Sequence, residues 1–321
     1  MKRLLSRSNE FLIGMISLVA ILIVSCKQRD DYPDFSGLEA EAPVEDIIPP
    51  DNNMTPLVQK IKDGAPFYKT FLIDSTISIA NGVEYYHTRF INSLDQKVSM
   101  HIVELDLNKA NILLSSLTPY DDYLFGSQQL PEMMQMNQET IAGDILVGIV
   151  GDGSTPTGTF VKKGRVIKTN TSRTIPYIGV KKGSNDIAIA NSPDATKFPV
   201  PAIVPTEFTS LIAGVNWMLY LGTDVVYTTT TTVARTAVGF TLDKKIYCIS
   251  VDGVNDFSAG ISLNNMRTIF KALACNNAFY VNGSASNALA VKQGDKWILK
   301  SIPQTGVAPA VGTGIGFVMK K

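Results

Sequence analysis

The stretch from Val233 to Ala288 constrains this chain most. Two polar, glycine-bearing turns there each follow an apolar run, and one well-marked helix joins them. Val238 to Val251 holds two short β-rich segments around Asp243-Lys244-Lys245, a hairpin signal that makes Arg235 the opening of a strand. Ser262 is placed to accept from the free amides of a first helical turn, and Leu263, Met266, Ile269, Phe270 and Leu273 recur at the three-and-four spacing of one buried face. A helix over about 263–274 follows. Ala278 to Val281 is then a short β-type run that stops at Asn282-Gly283-Ser284-Ala285-Ser286, small residues that let backbone amides come close to a ligand and cradle an anion.

Upstream, Val83–Ile91 and Val98–Leu107 read as strands, and Ala110–Leu117 as a continuation of the same sheet. Pro131 at a first helical turn, followed by Met133, Met134 and Met136, predicts a helix near 131–140 whose methionines pack. Ile145–Val150 is an apolar strand ending in Gly151-Asp152-Gly153-Ser154, a turn of the same style as the one at Asn282, so the two turns are candidates to meet. Hairpins are expected in Thr159–Lys168, Tyr177–Ala190 and Ala288–Ile302, with a closing strand in Gly316–Met319 and a proline-rich loop over 191–207. Hairpins outnumber helices, so the expected fold is one α+β domain over 68–321, on mixed, mainly antiparallel sheet covered by two helices.

The order of these motifs resembles the phosphodiester glycosidase family, whose members read P-R-T-A-x-G, V-D-G-R, G-M-T/S-L and L-D-G-G-G-S-S. The counterparts are Ala234-Arg235-Thr236-Ala237-Val238-Gly239, Val251-Asp252-Gly253-Val254, Gly260-Ile261-Ser262-Leu263 and Val281-Asn282-Gly283-Ser284-Ala285-Ser286. Upstream, Gly148 to Gly153 is similar to the family's A-I-N-G turn, with Val150 at its asparagine. The resemblance spans roughly 83–319 and implies hydrolysis of a glycosidic bond in a phosphate- or acid-bearing glycan. It departs at the end: Asn282 stands at the motif aspartate, Val254 at an arginine, and 308–314 lacks the arginine expected before the last strand.

Such a reaction develops positive charge at the anomeric carbon and negative charge on the leaving phosphate, needing carboxylates for one and arginine with backbone amides for the other. The resemblance makes Asp152, Asp252 and Asn282 the candidate catalytic positions, and Arg235, Thr236, Gly151, Gly283, Ser284 and Ser286 candidate ligand contacts. Trp217 either stacks on a sugar ring or lies in the core. Arg235 either forks onto phosphate or pairs with Asp252, and each aspartate is alternatively a turn residue satisfying local amides. A neutral Asn282 cannot act as a general base, so the second reading is a catalytically degenerate glycan-binding or envelope-scaffold protein.

The formal charge is zero and no basic cluster occurs beyond the N-terminus, which argues against a nucleic-acid partner. His87, His101 and three scattered cysteines have no metal-ligand spacing, and no cofactor is implied. Cys248 and Cys275 are either small buried hydrophobes or, in an exported domain, a disulfide. Residues 1–26 combine Lys2, Arg3 and Arg7 with the apolar run Phe11–Val24 and end at Ser25-Cys26, an export signal resembling a lipobox with Cys26 as the lipidated residue. Residues 27–67, rich in Asp, Glu and Pro, read as an extended tether. The expected location is the cell envelope, on the outer membrane by a lipid anchor, facing the periplasm or the surface.

Overall fold

The computed structural model describes residues 54–320 apart from 154, 304 and 306. The signal segment, Cys26 and most of the tether lie outside the described residues. Three α-helices are described, α1 (Pro56–Gly64), α2 (Leu130–Gln138) and α3 (Leu263–Ala272). Strands β1 (Tyr68–Ala80), β2 (Val83–Asn92), β3 (Lys97–Asp106), β4 (Ile112–Leu117) and β5 (Asp144–Val150) are followed by β6 (Phe160–Lys162), β7 (Arg165–Lys168), β8 (Tyr177–Lys181) and β9 (Ile187–Ala190). Next come β10 (Phe208–Ala213), β11 (Asn216–Tyr220), β12 (Arg235–Thr241), β13 (Lys245–Val251), β14 (Cys275–Gly283), β15 (Leu289–Gln293), β16 (Lys296–Leu299) and β17 (Gly314–Met319).

The largest sheet runs β1-β2-β3-β13-β12-β14-β11, with Thr223–Asp224 added at its edge. Two five-stranded sheets have the orders β16-β15-β5-β17-β4 and β9-β8-β10-β6-β7. The fold is thus mainly antiparallel β with a few covering helices. The expected mixture is absent, because every strand pair among the described residues is antiparallel. Two further expectations are corrected. β4 pairs with β17 in a different sheet and does not extend the sheet of β2 and β3. The last part of the supposed tether is α1, capped by Thr55 and burying Leu57, Val58 and Ile61, so the folded body begins before Tyr68.

Alternation along each strand gives the large sheet two apolar faces. One buries Met100, Ile102, Ala237 and Ile249 under α1 and α3. The other buries Val103, Cys248, Val238 and Phe279 against Val147, Ile149 and Phe317 of the second sheet. Helix α3 forms as expected, with Ser262 Oγ accepting from Asn265 N at 3.2 Å and Leu263, Met266, Ile269 and Phe270 buried. It reaches the sheet over Gly239, where a Cβ would stand 2.3 Å from the Phe270 ring. Cys248 and Cys275 are both free and belong to opposite faces. Burial pushes both thiols up.

Candidate active site

The two glycine turns do meet. Asn282 Nδ2 donates to the Gly151 carbonyl at 3.0 Å, and Asn282 Oδ1 accepts from Gly283 N at 2.8 Å. Gly283 is required at its place, since a Cβ there would come within 2.2 Å of the Ala234 carbonyl oxygen. The junction is largely satisfied internally. Ser284 N donates to Ala234 O at 2.8 Å, Asn287 N to Ser284 O at 3.4 Å and Gly151 N to Thr313 O at 2.8 Å. The amides expected to cradle an anion at Gly151, Gly283 and Ser284 are therefore already used, while the side chain of Ser284 is exposed and that of Ser286 half-buried. Asp152 behaves as a turn residue through Oδ2, which accepts from Thr157 N and Oγ1, both at 2.6 Å, and from Gly158 N at 3.1 Å.

Register places the remaining candidates. His87 on β2 opposes His101 on β3, His101 opposes Ser250 on β13, Ser250 opposes Thr236 on β12, and Thr236 opposes Asn282 on β14. Directly opposed residues share a face, so these five form one polar row across the sheet, at the rim of the core facing the second sheet. Asn287 links its middle, accepting from Thr236 Oγ1 at 2.5 Å and Ser250 Oγ at 3.1 Å and donating to Val251 O at 3.2 Å. Thr236 is fully buried in this network and serves it.

Arg235, one residue before Thr236, points to the opposite face. Its Nε donates to Ile261 O at 2.7 Å and its Nη2 to Thr231 O at 3.0 Å, and the guanidinium lies 5.3 Å from the Tyr280 ring. The edge that would fork onto phosphate is thus occupied by backbone carbonyls, and the guanidinium ties the segment before α3 to the sheet. No ion pair with Asp252 forms. Burial lowers the Arg235 pKa, partly offset by the neighbouring Tyr280 hydroxyl. Trp217 is 3 % exposed and packs edge-on against Tyr220 and Phe279, so no ring face is presented to a sugar.

Asp252, two residues along the chain from Ser250, lies beside the His101 part of the row. Its Oδ1 accepts from Ile302 N at 2.6 Å and its Oδ2 from Ser99 Oγ at 2.6 Å. His101 Nε2 lies 3.1 Å from both oxygens, and His101 Nδ1 lies 2.8 Å from Tyr85 Oη. With Nε2–H donating to the carboxylate, Nδ1 accepts from the phenol, which makes a continuous Tyr85–His101–Asp252 chain. These groups line a cavity of about 40 Å³ with Arg89, Lys300 and the half-buried His87, Phe257 and Ile302. His87 Nε2 lies 3.1 Å from Ser99 Oγ and stacks on His101 at 4.6 Å. Burial, then His101, Arg89 and Lys300, push the His87 pKa down to about 2, so the ring is neutral. The wall therefore sets two cations, Arg89 and Lys300, beside one carboxylate.

Sequence reasoning found Asp252 but missed Tyr85, His87, Arg89, Ser99, His101 and Lys300. Tyr85-x-His87-x-Arg89 and Ser99-x-His101 alternate at strand spacing, a signal that polar groups share one face, but it does not show which strand they face.

The sequence profile described as phosphodiester glycosidase matches residues 138–318, more than half of the chain. Among curated proteins no sequence match is found. Of solved structures, the catalytic domain of zebrafish N-acetylglucosamine-1-phosphodiester alpha-N-acetylglucosaminidase, auto-inhibited by its pro-peptide, is 18% identical with a TM-score of 0.54, over 81% of this chain and 92% of that one. A hypothetical protein from Synechocystis is 13% identical with a TM-score of 0.51, over 77% of this chain and 64% of that one. An exported-protein candidate from Burkholderia pseudomallei is 10% identical with a TM-score of 0.57, over 79% and 98%. At these identities the structures speak for the fold alone, and it is the profile match that makes the assignment: the chain belongs to the phosphodiester glycosidase family.

Proposed function

We propose that this protein hydrolyses the bond between a sugar and a phosphate in a phosphate-bearing glycan, and that the reaction takes place at the Asp252 pocket. The observation that supports this most is the Tyr85–His101–Asp252 chain facing Arg89 and Lys300 in one cavity. The cavity holds only a few waters, so it takes a phosphoryl oxygen and the attacking water while the sugar ring lies at the half-buried rim. Arg89 and Lys300 stabilise the departing phosphate. Water attacks the anomeric carbon as the sugar–oxygen bond to phosphate breaks. Its proton passes to Tyr85 Oη while the phenol proton passes to His101 Nδ1, and Asp252 stabilises the imidazolium that forms. Asn282 joins the two glycine turns and keeps the row in place.

The same reading includes export and lipidation at Cys26, which would tether the domain in the cell envelope. The zebrafish neighbour's name supplies N-acetylglucosamine 1-phosphodiesters as the first substrates to try. A crystal soak with N-acetylglucosamine 1-phosphate tests the assignment. Phosphate bound to Arg89 and Lys300 with the sugar against His87 and Phe257 is the expected result, and a ligand seated elsewhere with this cavity unchanged speaks against it. A non-catalytic glycan receptor is the second reading, favoured by Asn282 being a structural staple where the family motif has an aspartate.

A further inference from the structure

A larger cleft, about 550 Å³, opens at the far end of the β12–β13 hairpin, and the proposed reaction does not use it. Its volume falls within the range of ~300–1,000 Å³ typical of small-molecule sites. Lys245 at its margin and Val251 beside Asp252 are the two ends of β13, so at ~3.4 Å per residue the cleft and the pocket lie roughly 20 Å apart.

The chemistry of its walls differs from that of the Asp252 pocket. Lys245 is paired with Glu104 at 2.7 Å and Lys109 with Asp106 at 3.6 Å, and Lys244 shares the cleft with Asp186. The cleft is therefore near electroneutrality and has no claim on an anion. Five asparagines, Asn108, Asn111, Asn185, Asn276 and Asn277, contribute to its polar lining. Asn108 is fixed by donating to Asp243 O at 2.7 Å, and Asn277 by accepting from Leu221 N at 3.0 Å. The amides of Asn111 and Asn276 make no side-chain hydrogen bond among the described residues and face the same space. Each offers two donors and an acceptor, the pattern that meets neighbouring sugar hydroxyls. Phe240, Ile187 and Ile189 add apolar surface to the lining, which suits the C–H face of a pyranose ring.

We propose that this cleft is a second, non-catalytic binding site for a neutral oligosaccharide. The proposal does not depend on hydrolysis at Asp252 and is tested separately from it. Isothermal titration of the full chain with hexamers of N-acetylglucosamine, mannose and glucose should reveal binding of at least one, with Kd below about 1 mM. The double variant Asn111→Ala/Asn276→Ala should weaken it at least about tenfold while the thermal midpoint stays that of the native protein. In amide-resolved NMR, the side-chain signals of Asn111 and Asn276 should shift on titration and those of residues lining the Asp252 pocket should not. Absence of binding by all three hexamers, undiminished binding in the double variant, or selective binding of a phosphorylated sugar or an extended peptide paired along the open edge of β9 would overturn the proposal.

Discussion

Ser284 holds a backbone φ of +57°, a left-handed conformation that costs a residue with a side chain about 1–2 kcal/mol. Ser284→Gly should relieve that backbone conformation, worth about 1 kcal/mol and read as an upward shift of Tm. Gly283→Ala should do the reverse, since the new Cβ meets the Ala234 carbonyl. Asn282 gives a sharper contrast. In Asn282→Asp the donor to Gly151 O is lost and an anion replaces it, so a loss of about 1–3 kcal/mol is expected in a denaturant titration. Restoring the family's aspartate should therefore bring no gain in turnover. The sequence made the turns, and the likelihood of their meeting, legible through their glycines. It could not distinguish Trp217 in the core from Trp217 at a rim, because both suit an aromatic on an alternating strand. Nor could it show that Arg235 faces away from Asn282, which depends on pairing register across three strands.

Among the elements, α3 and the hairpin before it were legible because the cap, the period and the charged turn agree. Helix α1 was not, since its apolar residues span less than three turns inside an acidic, proline-rich stretch. The hardest feature to foresee is Lys162 on β6, fully buried, which donates to Asn137 Oδ1 of α2 at 2.8 Å and pairs with Asp121 at 2.7 Å. Burial draws its pKa down to about 8 against the pull of Asp121. Desolvation of Asp121 is outweighed by its bonds to Lys162, Lys163 and Thr140, so its pKa is lowered. A carboxylate with a depressed folded-state pKa contributes stability above its unfolded value, and that contribution is lost as pH falls through the folded one. Asp121→Asn should therefore cost about 3–5 kcal/mol at neutral pH by stranding the buried ammonium, and the difference from native should shrink as the pH falls below about 4. Urea titrations at a neutral and an acidic pH check both parts. Replacing both members with apolar residues of similar volume should cost far less.

For the whole molecule, the polar row is the organising feature. Asp252, two residues along the chain from Ser250 of β13, bonds His101 of the row, and Asn282 on β14 is two strand spacings of ~4.8 Å, or roughly 10 Å, across the sheet from that strand. Asn287 ties Thr236 and Ser250 to the Val251 carbonyl, so Asn287→Ala should leave buried hydroxyls without their acceptor and cost about 1–3 kcal/mol in stability. The central claim, that chemistry belongs to the Asp252 end, is tested most directly by release of free N-acetylglucosamine from an N-acetylglucosamine 1-phosphodiester in the native protein, Asp252→Asn and Tyr85→Phe. Turnover by the native protein that falls about 10²–10⁴-fold in each variant, with Tyr85→Phe folding normally, is the predicted result. An inert native protein, or turnover that survives both substitutions, would contradict it.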